Sequence, residues 1–213
     1  MKQEDTKNKI MEAALSLFAA RGYDAVSVAE IAAAVGIRAP SLYNHFESKK
    51  AIFYAIVEET ERRYDAFTAG LSVHVGNSAE DTAVFVGITE EALWEKMRRV
   101  FLYSLHDTRV SAFRRMLTIE QFRSSELARM YTERYVERLV RYHRELFLRL
   151  IAAGELTNAD ADVMALMYVA PVLTLLGVCD RQPEKEAECL EKLSAHVRFF
   201  YQTYHLPNNQ NGN

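Results

Sequence analysis

Residues 37–49 read IRAPSLYNHFESK and concentrate the side chains with which this chain could do chemistry. Ile37, Leu42 and Phe46 recur at helical spacing and turn inward. Arg38, Ala39, Pro40, Ser41, Tyr43, Asn44, His45 and Lys49 are left on the outside or at the ends. The polar members are hydroxyl, amide, imidazole and cationic groups, which donate to phosphate oxygens or reach base edges. An ordinary solvated helix carries the same residue types, so spacing alone leaves both readings open.

The preceding residues supply the frame. Ser27 is a candidate N-cap with Glu30 three residues on, a capping box that satisfies orphan amide donors. Ile31, Ala32 and Val35 form the buried stripe of a short helix. Gly36 falls where that helix must stop, because glycine tolerates the left-handed conformation of a C-cap. Pro40 sits near the start of the next helix, where its missing N–H costs nothing. Two short helices joined by a glycine-containing turn make a helix-turn-helix. Upstream, Ile10, Ala14, Leu17 and Phe18 give a further helix an apolar face, and Gly22 ends it.

Over residues 8–56, IMEAALSLFAARGYDAVSV followed by SVAEIAAAVGIRAPSLYNHFESK resembles the DNA-binding domain of the tetracycline-repressor (TetR) family of bacterial regulators. SLYNHFESK is the most specific segment. The resemblance implies that Ser27, Ser41, Tyr43, His45 and Lys49 contact phosphates. It also implies that Ala39, Pro40 and Asn44 lie against base edges, with Arg38 a weaker candidate. Alanine and proline offer only apolar contact, so hydrogen-bonded base reading falls to Asn44 and secondarily to Arg38.

Charge gives this reading no help. The chain carries a net charge of −3, and residues 1–50 hold seven Lys/Arg against six Asp/Glu. Affinity for DNA must therefore come from local placement of cations. Hydrophobic residues make up 49%, with only 4 prolines and 8 glycines, which favours a mostly helical globular protein. The longest apolar run, Val163–Val178, is short for a bilayer span of about 20 residues and reads as a buried helix, not a membrane segment. The polar, lysine-rich start and a cysteine count of two point to the cytoplasm.

Ser48 caps a fourth helix running from Lys49 to about Ala69. Residues 70–88 read as an irregular loop, although Val73/Val75 and Val84/Val86 alternate like strands. A helix from Thr89 and a short one near Val110–Leu117 precede a long helix from Ser124 or Ser125 to Ala153, closed by Gly154. On it, Glu137–Arg141 and Glu145–Arg149 have the favourable i, i+4 order. The last two helices are expected at Asp160–Asp180 and Glu184–Tyr204. The first is apolar nearly all round, and Pro171 should kink it. On the second, Ala187, Leu190, Ser194, Val197, Tyr201 and Tyr204 recur with heptad-like spacing, widened by Leu193 and Phe200. That pair of helices points to an intermolecular four-helix contact, the alternative being that both simply complete the monomer core, and the family resemblance implies a homodimer there. The tail 207–213 reads as disordered.

Tyr64, Phe67, Trp94, Met97, Phe101, Phe113, Met116, Glu120, Tyr131, Tyr135 and Tyr168 suggest a large aromatic cavity, although core packing explains each singly. Glu120 beside Gln121 also reads as a buried pair that fixes helix packing. No histidine, cysteine and carboxylate set has metal-ligand spacing, and no phosphate loop, nucleophile elbow or dinucleotide fingerprint is present, so neither metal nor cofactor is expected. His106 next to Asp107 reads as helix-end polarity.

The expectation is an all-α protein: a three-helix helix-turn-helix domain over 1–47 and a ligand-binding and dimerisation domain over 48–206. Its partners are double-stranded operator DNA, a small-molecule effector and a second copy of itself. The function is a ligand-responsive regulator, a repressor by resemblance. One rival is a thiol-redox sensor through Cys179 and Cys189; another is a helical-bundle enzyme.

Overall fold

The computed structural model describes residues 2–206, with side chains from Glu4 onward; the tail from Pro207 lies outside them. Among the described residues, eleven α-helices follow one another. They are α1 (Lys2–Arg21), α2 (Val28–Val35), α3 (Ala39–Leu42), α4 (Lys49–Ala69), α5 (Ser78–Phe85), α6 (Glu90–His106), α7 (Thr108–Glu120), α8 (Ser125–Thr132), α9 (Arg138–Ala152), α10 (Ala161–Arg181) and α11 (Glu186–Tyr204). A π-helical turn, Glu133–Glu137, joins α8 to α9, and a 3-10 turn, Pro183–Lys185, leads into α11. The chain forms two compact units. One takes in the chain up to Tyr64 and His106–Tyr131; the other takes in Asp65–Leu105 and the chain from Thr132 onward.

In the first unit, Ile10, Phe18, Ile31, Leu42, Ile52 and Ile56 are fully buried. The inward stripe of α1 is Met11, Ala14, Leu15 and Phe18, at i, i+3, i+4 and i+7. Leu17, read from the sequence as part of that face, is half-buried and Leu15 takes its place. Val35 and Ile37 are likewise only half-buried. The rest of this core comes from far along the chain. Phe113, Met116 and Leu117 of α7 are fully buried, and the Phe113 ring lies 6.3 Å from that of Phe53. Burying each such side chain contributes about 1.5–3 kcal/mol. α7 starts where Asp107 Oδ1 accepts from the amides of Arg109 (3.0 Å) and Val110 (2.9 Å). His106 ends α6 and Asp107 caps α7, as the helix-end reading requires.

In the second unit, residues 70–88 depart from the sequence reading: Ser78–Phe85 is helix, not loop. Its inward residues are polar. Asp81, fully buried, accepts from the His74 amide (2.6 Å) and from the Tyr142 hydroxyl, and Ser78 Oγ donates to Glu145 Oε2 (3.2 Å). The long helix is also interrupted. The π turn places an extra residue in the winding, and Arg141 pairs with Glu133 at 2.7 Å instead of with Glu137. The hydrogen bond that Glu137 donates to the Glu133 carboxylate holds the Glu137 carboxyl above its ordinary range. Gly154, at φ 77, ends α9 as expected.

α10 runs unbroken through Pro171 for 21 residues, a length and composition that could cross a membrane. It is not buried all round. Met164, Ala165, Tyr168, Val169 and Leu176 face the core, whereas Val163, Leu166 and Met167 are exposed. On α11 the expected outward stripe is corrected. Leu193, Val197 and Phe200 are buried within the chain, and Phe199 is the large apolar residue left outside. Helical spacing identifies a stripe but not which partner covers it.

Candidate nucleic-acid interface

The frame around α2 and α3 is built from local bonds. Ser27 accepts from the Glu30 amide (3.2 Å), and the Glu30 carboxylate accepts from the Ser27 amide and hydroxyl (2.8 Å each). Arg21 pairs with the same carboxylate at 2.7 Å. These bonds, led by the one from the Ser27 amide, pull the Glu30 carboxyl down to about 2. At the other end Gly36 adopts φ 76, and its amide donates to the carbonyls of Ala32 and Ala33. α3 begins at Arg38, which makes no side-chain capping bond, and Pro40 lies in its first turn. The Ala51 amide donates to Ser48 Oγ (3.0 Å), which fixes the start of α4.

This frame presents a set of outward donors. Arg38, Pro40, Ser41, Tyr43 and Asn44 are exposed, while Ala39 and His45 are half-buried. Tyr43 is 53% exposed although its neighbour Leu42 is fully buried. An aromatic ring left in water on so short a helix is an unmet contact. His45 holds its Nδ1 buried without a hydrogen-bond partner. Ser27 is exposed and committed to the capping box.

Lys49 occupies a different setting from its neighbours. Its Nζ donates to the carbonyls of Tyr23 and Val26, both at 3.0 Å, and lies 4.4 Å from the centre of the Tyr23 ring. The ammonium thus ties the start of α4 to the loop between α1 and α2, and two of its three donors are used. Sequence spacing could not reveal this brace, because its partners are main-chain atoms more than 20 residues away. Lys50 is also engaged, 3.2 Å from Glu126.

The aromatic set divides between the units. Tyr64, Phe113, Met116, Glu120 and Tyr131 belong to the first; Phe67, Trp94, Met97, Phe101, Tyr135 and Tyr168 belong to the second. Phe113 and Met116 are core residues with no exposed surface. Glu120 is 1% exposed, and its Oε1 occupies the space a Cβ on Gly22 would need. Its partner is Arg123 at 3.4 Å, whereas Gln121, half-buried, donates to the Thr118 carbonyl, so the expected Glu120–Gln121 pair is not formed and Glu120 meets the end of α1 by close approach to Gly22. In the second unit Phe67 stacks on Tyr103, with centroids 3.8 Å apart and planes 5° from parallel. Trp94 and Met97 pack, half-buried, on the cluster around Phe101. Tyr135 sits within the π turn, where Arg134 lies 5.9 Å over its ring. Tyr168 lines a cavity with residues from outside the set.

Cys179 and Cys189 meet in the core of the second unit, both buried and both free thiols. Burial, with the hydrogen bond that the Cys179 thiol donates to Cys189, pushes the Cys179 thiol up to about 12. The thiolate is the reactive form, so this setting does not favour redox sensing.

A capped helix, a left-handed glycine turn and a second short helix bearing exposed donors define a helix-turn-helix DNA-binding protein. Comparison with known proteins agrees. Residues 10–56 match bacterial regulatory proteins of the tetR family, and residues 93–205 match the C-terminal domain of AefR-like transcriptional repressors. The chain belongs to the TetR family of bacterial transcription regulators.

Over 47 residues it is 47% identical to IcaR, the negative transcriptional regulator of the icaADBC biofilm operon of Staphylococcus aureus; the match covers 22% of this chain and 25% of that protein. Over 91 residues it is 29% identical to an uncharacterised helix-turn-helix regulator of Bacillus subtilis, YdgC, covering 43% of this chain and 47% of the relative. The chain thus matches half or less of the length of these relatives. Among solved structures it resembles the complex of SmeT with triclosan, at a TM-score of 0.68 and 22% identity, covering 98% of each chain. SmeT is the repressor of a Stenotrophomonas maltophilia multidrug efflux pump.

Proposed function

We propose that this regulator is a homodimeric repressor, acting in the cytoplasm, that holds a palindromic operator and releases it when a small molecule binds. The observation that carries the DNA reading is the exposed donor set Arg38, Ser41, Tyr43 and Asn44 on a frame fixed by the Ser27–Glu30 capping box and the left-handed Gly36 turn. Ser41, Tyr43 and His45 serve phosphates. Asn44 reads a base edge, with Arg38 second, and Ala39 and Pro40 give apolar contact. Ser27 adds a phosphate contact from its cap. Lys49 contributes through the loop it braces and through its remaining donor. Functionally the DNA-binding part is residues 1–47 and the regulatory part 48–206. That boundary falls inside the first compact unit, so the two parts share a core.

Effector sensing is supported by the kinship with AefR-like repressors and by the fold shared with SmeT, which has been seen with triclosan. The half-buried rings Phe67, Trp94 and Tyr135 are the members of the aromatic set in the second unit best placed to meet a ligand. Tyr64 and Tyr131 are the half-buried members in the first. The effector must bind the released conformation more tightly, since equal affinity for both states shifts nothing.

Footprinting on genomic fragments at moderate salt is the test. The reading requires a protected two-fold site, and its absence would falsify it. Trp94 is the only tryptophan, so its fluorescence screens effectors. A true inducer shifts Trp94 emission and frees the operator over one concentration range.

A further inference from the structure

The second unit contains a cavity of about 60 Å³, partly open to the surface. A single water needs roughly 10–15 Å³, so the cavity has room for a ligand of a few heavy atoms. Most of its wall is apolar, with Phe85, Leu146, Leu150 and Leu156 among the lining residues. One side is an aromatic cluster: Tyr168 lies 4.8 Å from Phe200 and 5.6 Å from Phe147, ring centre to ring centre. Of the aromatic set assigned to the effector, only Tyr168 reaches it. The inference therefore stands apart from the effector reading.

The polar side of the wall is His205 with Glu155. Both side chains are close to nine-tenths buried, at 9% and 13% exposure. The backbone holds them in place: Thr157 N donates to Tyr204 O (2.8 Å) and Leu206 N to Glu155 O (2.9 Å). The His205 ring stacks on Tyr201, with centroids 4.4 Å apart. Its Nδ1 lies 2.9 Å from the Leu206 carbonyl oxygen and so carries the ring proton. In the neutral ring Nε2 is then a bare lone pair, and this buried atom has no hydrogen-bond partner. It faces Glu155 Oε2 at 3.8 Å, too far for a direct hydrogen bond. Glu155 Oε2 already accepts from the Gly87 amide (2.9 Å). Two acceptors thus confront each other across a gap in an otherwise apolar wall. Leaving a buried acceptor unmet is costly, so the gap calls for a donor with more than one hydrogen.

We propose that this cavity is a second small-molecule site, taking a compact apolar primary amine whose ammonium group donates to both Glu155 Oε2 and His205 Nε2. The aromatic cluster suits the positive charge, since cations are attracted to ring faces within about 6 Å. Tyr201 also lines the cavity, and its hydroxyl donates to Ile88 O (3.1 Å). The remaining histidine in the wall, His143, opposes no cation. Burial pushes its pKa down to about 4, and the ring stays neutral.

The test compares isobutylamine, isobutanol and isobutyl methyl ether, which keep the body and change the donor count. Binding to the full-length protein is followed by the ring-nitrogen NMR shifts of His205 and the ring signals of Phe200. The amine should bind most tightly and shift the His205 Nε2 signal. Glu155→Gln should weaken the amine by about tenfold and leave the ether unchanged. His205→Phe, which keeps the stacking on Tyr201, should also remove the preference for the amine. Operator binding measured on the same two variants should be unchanged, which separates this site from the repressor reading. Three results overturn the proposal. The three compounds could bind alike or leave both reporters unmoved. The free protein could show both His205 nitrogens protonated near neutral pH, an imidazolium that satisfies Glu155 by itself. A crystal soaked in isobutylamine could retain a water between the two acceptors.

Discussion

Ser27 carries two demands at once. Its hydroxyl and amide close the capping box with Glu30, and in the proposed complex the same hydroxyl meets a phosphate. Replacing it with alanine should cost about 1 kcal/mol of stability through the lost cap. Denaturant unfolding without DNA reads that part alone. The carboxylate of Glu30 sets a pH window. Its pKa falls from 4.5 in the unfolded chain to about 2 in the fold, chiefly through the Ser27 amide bond. A depressed acid stabilises the fold above the unfolded value and loses that contribution as pH falls through the folded one. Stability should therefore erode between about pH 4.5 and 2, and Glu30→Gln should flatten that limb of the unfolding midpoint. Among the DNA contacts, Asn44→Ala should cost about 1–3 kcal/mol at one base pair only. Tyr43→Phe should weaken all sequences alike. Binding to a panel of operator variants separates the two, and a uniform loss for Asn44→Ala would remove its base-reading role.

The helix-turn-helix could be read from the sequence because its stops and starts are local. Ser27, Glu30, Gly36 and Pro40 act within one turn of the residues they position. What could not be read depends on distant partners. Lys49 has the type and position of a phosphate contact, yet its ammonium is drawn to the carbonyls of Tyr23 and Val26. α5 has a valine alternation at its flanks, and the bonds that hold it come from His74, Tyr142 and Glu145. α7 could be found as a helix, but nothing in its sequence says that it completes the core beneath the DNA-binding helices. From this follows a prediction about α1 and α7. Gly22 sits at φ 87, with Glu120 Oε1 where a Cβ would go. Gly22→Ala should destabilise the first unit by about 1–2 kcal/mol for the backbone alone, and by more from the displaced carboxylate. Residues 1–64 expressed alone lack Phe113, Met116 and Leu117 and should not fold cooperatively. A sharp thermal transition for that fragment would show that the local elements suffice without α7.

At the scale of the whole molecule, the proposed dimer turns on the exposed apolar surface. Val163, Leu166 and Met167 on α10 are 50%, 54% and 42% exposed, and Phe199 on α11 is 61% exposed. The two helices run side by side there, with His196 Nε2 3.1 Å from Tyr168 O and the Tyr204 hydroxyl 3.8 Å from Met167 Sδ. Contiguous exposed apolar residues mark an interaction surface. A two-fold contact between such faces is self-complementary and closes at two copies. Val197, which shares the α11 stripe, is fully buried within its own chain. Charge on these residues should therefore have opposite consequences. Leu166→Glu or Phe199→Glu should leave a folded monomer, with helical content and cooperative melting kept. Val197→Glu should collapse the fold of the second unit, because an unpaired buried charge has nothing to offset its desolvation. Sedimentation velocity with circular dichroism distinguishes the two. The folded monomers should also lose the operator, since each presents one recognition helix where two half-sites about 34–36 Å apart require a pair. A wild-type chain that sediments as a well-folded monomer at micromolar concentration would leave the exposed face without its partner. Operator binding by that monomer would then have to be explained through one half-site alone.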